Sequence, residues 1–318
     1  MRVVFMGTPD FAVGTLEELI KAGHQVAAVV TQPDKPKGRG KTLLPTPVKE
    51  TAQKYGIPVY QPKKVREEAF TETLRDIAPD VIVVAAFGQI ITREILDMPK
   101  YGCINVHASL LPAYRGAAPI QWAVINGEKE SGVTIMQMDQ GLDTGDMIDT
   151  VIVPLDPDET GGSLFDKLSE AGARLCVKVL ADLEAGKAVR TPQPKESTTA
   201  YAGMIDKKMG KIDWTKPAKQ IEQLIRGLNP WPSAYTRLQG KNLKIWKAEI
   251  TEENSKEAPG TVTQVLSDRF LVQTGAGMLQ VLELQLEGKK RMDTAAFLRG
   301  AAVSQGEVLG KDTKDKTL

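Results

Sequence analysis

Histidine and cysteine are the scarce residues of this chain, two of each in 318, and aromatic residues make up only 5%. Two cysteines, Cys103 and Cys176, with no pairing pattern exclude a disulfide framework and point to a reducing cytoplasm. Both lie in apolar runs, which favours buried filler over reactive thiols. No apolar run approaches the ~18–20 residues of a membrane span; the longest, Val81 to Phe87, has the length of a strand. Pro9 and Asp10 break up any leader-like stretch near the first residue, so no secretory signal is expected. What remains is an ordinary soluble composition, 42% hydrophobic and 25% charged, with enough chain for two domains and a sizeable core.

The net charge of +1 conceals an asymmetry. Residues 207–318 carry 19 Lys+Arg against 13 Asp+Glu, or +6, and residues 1–206 carry 22 against 27, or −5. Inside the acidic half, Asp34 to Lys49 holds five basic residues and one acid. Two basic islands on an acidic body speak to polyanionic partners, with a solvated surface as the alternative.

The first half alternates strands and helices. Val3–Met6, Val26–Val30, Val59–Tyr60, Val81–Ala85 and the run ending at Asn105 read as strands. Helices fall between them: one opened by Thr8-Pro9 and closed by Gly23, one over Pro47–Tyr55, one near Glu67–Ile77 and one near Thr92–Leu96. Strands apolar on both faces between helices predict a mostly parallel, Rossmann-like sheet covered on both sides. Val133–Met138 and Met147–Val153 follow as strands around the turn 141–145, then a long helix over about 163–183. A polar, proline-interrupted stretch, 190–207, reads as a linker between a first domain, 1–189, and a second, 208–318. One helix (Ala218–Leu228), five short strands and a final helix near Thr294–Leu298 predict a small OB-like β-barrel there.

The strand ending at Asn105 carries the chemistry. Asn105 and His107, two positions apart, project to one face and offer a donor amide and a titratable ring to the same volume. Alone, His107 reads as a structural histidine. The glycine-bracketed acidic turn Asp139–Asp146 alters that balance, because a carboxylate beside a histidine orients the ring and fixes its tautomer. Asp143 is the best partner. Its acids do not match calcium-loop spacing and no second histidine or thiolate lies close by, so no metal is expected. The first strand-to-helix turn, Met6-Gly-Thr-Pro-Asp-Phe, lacks Gly-x-Gly-x-x-Gly, which speaks against a dinucleotide. The string Gly38-Arg39-Gly40-Lys41-Thr42 has Lys35 where a P-loop needs its first glycine, and it is rejected as an ATP site. The loop 33–49 is instead too long and too basic for an ordinary connection and emerges on the ligand side of the sheet. It reads as a flexible arm for a phosphate backbone, with a disordered loop as the alternative.

These residues resemble a known family. Asn-x-His followed by Ser-Leu-Leu-Pro-x-Tyr-Arg-Gly, with Asp-Thr-Gly some 36 positions after the histidine, is similar to the 10-formyltetrahydrofolate-dependent formyltransferases. The resemblance spans the chain. Met-Gly-Thr-Pro-Asp-Phe, Gln-Pro-Asp-Lys-Pro-x-Gly-Arg-Gly and the Asn-Pro-Trp-Pro of residues 229–232 resemble the bacterial methionyl-tRNA formyltransferases in particular. The resemblance implies formylation of the methionine α-amino group on initiator tRNA, with 10-formyltetrahydrofolate as co-substrate and Asn105, His107 and Asp143 as catalytic residues. It further implies folate contacts at Phe87, Gly88, Gln89, Ser109, Leu110, Leu111, Pro112 and Asp139. Lys35, Lys37, Arg39 and Lys41 would meet the acceptor end of the tRNA, and the second domain its stem. A cytoplasmic monomer without membrane attachment is expected. Three alternatives stay open: a formyltransferase acting on a small amine, such as glycinamide ribonucleotide or an amino sugar nucleotide; a folate deformylase; and an idle RNA-binding module.

Overall fold

The computed structural model describes residues 1–37 and 42–311, which divide into two compact units. The first comprises Met1–Pro119, Glu130–Pro154 and Phe165–Ala202; the second comprises Ile120–Lys129, Leu155–Leu164 and Gly203–Leu318, described as far as residue 311.

The first unit begins with β1 (Arg2–Gly7), α1 (Asp10–Lys21) and β2 (Gln25–Val30). Thr8, expected to cap α1, does not: the cap position is Pro9, and the Thr8 hydroxyl donates to the Phe87 carbonyl at 3.1 Å. Next come β3 (Lys35–Lys37) and β4 (Thr42–Leu44), which pair antiparallel with Lys35 opposite Leu44. The arm expected to be flexible is therefore flanked by a two-stranded ladder, whose cross-strand bonds satisfy backbone groups that an open loop leaves to water. In α2 (Pro47–Lys54) the Thr46 hydroxyl accepts the Lys49 N–H at 3.1 Å, and proline at the first helical position loses no intrahelical bond. The chain then runs through β5 (Val59–Tyr60), α3 (Glu68–Ile77), β6 (Val81–Ala85), α4 (Arg93–Leu96) and β7 (Cys103–His107). A short helix not expected from the sequence, α5 (Pro119–Ile125), all but its first residue in the second unit, precedes β8 (Glu130–Gln137), β9 (Met147–Pro154) and the 24-residue α6 (Gly161–Glu184), whose first four residues also belong to the second unit.

The seven-stranded sheet has the order β5-β2-β1-β6-β7-β8-β9, parallel through β7 and antiparallel thereafter. Every residue of β6 is buried, as a central strand with two covered faces requires. Strand order reverses between β1 and β6, and ligands of such sheets sit beyond the carboxyl ends near that reversal. Gly7 ends β1 there because a Cβ would stand 2.7 Å from the Ala12 Cβ and 3.0 Å from the Ala85 carbonyl oxygen. Residues 190–202, expected within a linker, pack in this unit, with Thr191 and Met147 exchanging two backbone hydrogen bonds of 2.8 Å.

The second unit holds α7 (Ala218–Gly227), β10 (Ala234–Leu238), β11 (Lys241–Thr251), β12 (Val262–Val265), β13 (Phe270–Gln273), β14 (Met278–Leu286), β15 (Met292–Asp293) and α8 (Thr294–Leu298). Its antiparallel sheet follows the path β10-β11-β14-β13-β12, with β15 added to β14. Alternate residues such as Leu243 and Ile245 point into a core shared with Trp214, Ile221, Phe270 and Phe297, while Lys244 and Trp246 lie on the opposite face.

Candidate active site

The end of β7 places Asn105 and His107 on one face, as period-two geometry dictates, with Val84 of β6 beside Asn105 and Thr134 of β8 beside His107. Their environments differ. The Asn105 amide is half-buried and has no hydrogen-bond partner among the described residues. Its donors and acceptor are thus available to a ligand. His107 is 6% exposed, and its Nε2 lies 3.0 Å from the Tyr114 carbonyl oxygen. A carbonyl only accepts, so Nε2 carries a proton and the neutral ring presents its lone pair at Nδ1.

Nδ1 faces the Asp143 carboxylate, 3.7 Å from Oδ1. That distance exceeds the 2.7–3.2 Å of a hydrogen bond. The expectation that Asp143 directly holds the ring is therefore replaced by a division of labour: the Tyr114 carbonyl orients the imidazole, and Asp143 stands off. Two acceptors facing across such a gap need a proton between them, from an imidazolium, a carboxylic acid or an intervening donor.

Asp143 is itself fixed. Its Oδ2 accepts the Gly116 N–H at 2.9 Å, and its φ of 57° puts a non-glycine residue in the left-handed region, a conformation of ~1–2 kcal/mol that surrounding contacts must enforce. The Gln193 side-chain amide donates to the carbonyls of Asp143 (2.9 Å) and Gly145 (2.7 Å). Arg115, 8% exposed, donates in turn to Gln193 Oε1 and to the carbonyls of Pro194 and Lys195. Arg115 lies in the motif that carries the family resemblance, and nothing in its sequence position announces this bracing contact. Gln193 lies 50 residues from Asp143, in a stretch that reads as polar linker, and nothing local in the sequence announces the contact.

The residues expected at the folate site are distributed unevenly. Phe87 is 2% exposed and belongs to the hydrophobic core. Its carbonyl, with that of Gly88, is engaged by the Gln32 side chain. Gln89 spends both ends of its amide internally, accepting from the Val65 N–H and donating to the Pro62 carbonyl. The Ser109 hydroxyl donates to the Ala113 carbonyl, and Leu111 is buried with its N–H on Thr134 Oγ1. Leu110 and Pro112 are half-buried, and the Pro112 carbonyl accepts from Ser197. Asp139 is exposed and closes its own turn through the Gly141 N–H and the Thr144 hydroxyl. These side chains build and brace the loops around Asn105, leaving backbone groups as the readier ligand contacts. Lys35 is exposed on β3; Arg39 and Lys41 lie outside the described residues, as does the side chain of Lys37. Among the described residues no group of three or more His, Cys, Asp or Glu could hold a metal ion.

Two family models match the chain: Formyl transferase over residues 1–180, and Formyl transferase, C-terminal domain over residues 204–302. A methionyl-tRNA formyltransferase of Agathobacter rectalis is 62% identical over 306 residues, covering 96% of this chain and 98% of that protein. One of Geobacter sulfurreducens is 51% identical over 311 residues, covering 98% and 97%. Among solved structures, a sugar 3N-formyl transferase crystallised with dTDP and 5-N-formyl-THF superposes with a TM-score of 0.66 at 21% identity, over 91% of this chain and 99% of that one, which speaks to the fold. With both family models in sequence and relatives matched nearly end to end, the chain belongs to the formyltransferase family, among its methionyl-tRNA formyltransferases.

Proposed function

We propose that the site at the end of β7 transfers the formyl group of 10-formyltetrahydrofolate to the α-amino group of methionine on initiator methionyl-tRNA. The observation that carries the reading is the uncommitted Asn105 amide beside the His107–Asp143 pair, in a chain 62% identical to a methionyl-tRNA formyltransferase. The free amine attacks the formyl carbon and the carbonyl oxygen becomes an oxyanion, which the Asn105 N–H groups receive; a preorganised donor of this kind is the largest single aid to acyl transfer. The attacking nitrogen must lose a proton and folate N10 must gain one as its C–N bond breaks. His107 Nδ1 and Asp143 Oδ1, 3.7 Å apart, flank the path of that relay and would close to hydrogen-bond distance as the proton passes. No covalent acyl-enzyme is needed.

Folate would lie along the backbone of residues 87–89, 110–112 and the turn 139–143, since the Phe87, Gln89 and Ser109 side chains are committed to the protein. Lys35, Lys37, Arg39 and Lys41 would contact the acceptor end, where forked guanidinium contacts suit phosphate. Residues 207–318, with their charge of +6, would bind the stem backbone. The same reading has the enzyme working as a cytoplasmic monomer, with a catalytic domain joined to an OB-like tRNA-binding one. The test is transfer of labelled formyl from 10-formyltetrahydrofolate to initiator methionyl-tRNA, beside free methionine and glycinamide ribonucleotide. Label on the charged tRNA alone supports the proposal; label on a small amine, or folate hydrolysis without acceptor, overturns its substrate.

A further inference from the structure

We propose that Arg115 and Gln193 act as positioning residues, a latch that sets the stand-off between His107 and Asp143. The inference deepens the functional reading above and rests on it for the identity of the reaction, though not for the geometry.

Tyr114, Arg115 and Gly116 hold both members of the pair at once. The Tyr114 carbonyl takes His107 Nε2 at 3.0 Å, the Gly116 N–H takes Asp143 Oδ2 at 2.9 Å, and the Arg115 guanidinium reaches Gln193. Gln193 then grips the peptide carbonyls of Asp143 and Gly145, two positions apart, with a single NH2 group. The direction of its amide is dictated by chemistry. Arg115 places Nε at 3.1 Å and Nη2 at 2.9 Å from Oε1, and a guanidinium has only donors. The NH2 end must therefore face the carbonyls, which have only lone pairs. Arg115 is in turn seated by the Pro194 and Lys195 carbonyls at 2.8 and 3.1 Å. A buried guanidinium with this many partners is a rigid post.

The post has something to resist. Asp143 sits at φ 57°, and a side chain there relaxes toward ordinary dihedrals unless its peptide is held. Releasing the Asp143 carbonyl would let the carboxylate move against His107 Nδ1 while leaving every other contact of the ring in place. Further lacing ties the same segment to the catalytic loop: Thr199 Oγ1 accepts the Tyr114 N–H at 2.7 Å, Ser197 Oγ donates to the Pro112 carbonyl at 2.7 Å, and the Ala202 N–H donates to the Arg115 carbonyl at 2.8 Å. Residues 193–202 are thus part of the active-site scaffold.

Gln193→Glu isolates the effect. It keeps shape and gains an ion pair with Arg115, yet turns a carboxylate oxygen toward two carbonyl oxygens, so it disrupts the latch without opening a cavity. Two readouts are paired. The first is the ring 15N spectrum of His107, resolved by comparison with a His24→Gln variant since the chain has two histidines. The second is single-turnover formyl transfer to initiator methionyl-tRNA, with Asp143→Asn and the Gln193→Glu/Asp143→Asn double variant alongside. The expected result is a displaced His107 Nδ1 resonance in Gln193→Glu, with kcat lower by about 100-fold, the cost of an ~1 Å misplacement. KM for methionyl-tRNA stays within about threefold, because the change reaches the reaction through Asp143. The double variant should be no slower than Asp143→Asn alone, since the two changes act through one group. An unmoved His107 resonance overturns the latch whatever the activity, as does full additivity in the double variant. Failure of the unaltered enzyme to formylate methionyl-tRNA overturns the functional reading instead, and the spectroscopic arm then still decides the latch.

Discussion

Replacing Asn105 by alanine separates catalysis from stability cleanly, because the amide makes no hydrogen bond within the described protein. Truncation orphans no buried partner and removes a half-buried side chain, so the folding cost should stay within about 1 kcal/mol. The cost to the reaction is of another order. Loss of one preorganised oxyanion donor removes roughly 2.7–4 kcal/mol from transition-state stabilisation, or about 100- to 1,000-fold in kcat. Asn105→Asp sharpens the test: nearly isosteric, it replaces the donor with a second anion facing the developing charge, and its loss should be at least as large. The assay is single-turnover transfer at saturating folate, with a thermal melt on the same preparations. A fall in kcat of less than about threefold in either variant, with the melt unchanged, refutes the oxyanion role, since a true donor loss registers in kcat.

Gly116→Ala should lose both stability and activity: its φ is 129°, and a Cβ would stand 2.5 Å from the Ala202 carbonyl oxygen and 2.9 Å from the Tyr201 ring. We expect a loss of about 1–3 kcal/mol in urea titration, together with a slower transfer rate because the N–H held by Asp143 moves. The two thiols should resist alkylation in the native protein and react after unfolding. Burial pushes both up to about 12, with the Asp97 charge adding to Cys103. With folded values above the ordinary 9.0, the unfolded chain releases these protons first, so their stabilisation is complete below pH 9 and is lost as pH climbs through the window to about 12. A variant with both cysteines changed to alanine should accordingly lose less stability between about pH 8 and about pH 10 than the parent, measured by urea midpoints. Affinity for initiator methionyl-tRNA should fall linearly in log–log form with salt, with a slope near −0.9 per neutralised phosphate, and Lys35→Ala should reduce that slope by about one unit. A salt-independent affinity would remove the basic segments from the interface.

Periodicity made the first unit readable. A fully apolar Val81–Ala85 is a central strand, and Asn105 and His107 on alternate positions announce a shared face. Asp143 was legible for a local reason, since flanking glycines mark a tight turn. What sequence could not supply were contacts across long separations. The Tyr114 carbonyl as the true orienter of His107 is a backbone group, invisible in residue identity. Arg115 finds Gln193 across 78 positions, and the prolines around Gln193 advertise a linker although the segment is laced into the sheet unit. The side chains of Phe87 and Gln89 go to the core and to the loop at Pro62–Val65, which leaves the folate contact expected there to their backbone. The short α5 was missed because Pro119–Ile125 offers fewer than two turns of pattern.

The second unit is assembled from three separate stretches, and inheritance by simple fusion is closed to it as a result. A gene fragment beginning at Gly203 would leave behind the Glu159 carbonyl that takes Arg226 and the Asn229-bound N–H of Gly162. It would also lose Ile125, against which Gly227 packs so closely that a Cβ would stand 2.4 Å from its Cγ1. The face of α7 that these segments cover would open to solvent. Any chimera that exchanges this unit must carry residues 120–129 and 155–164 with it, so its boundary in evolution, as in engineering, is a surface and not a point on the chain.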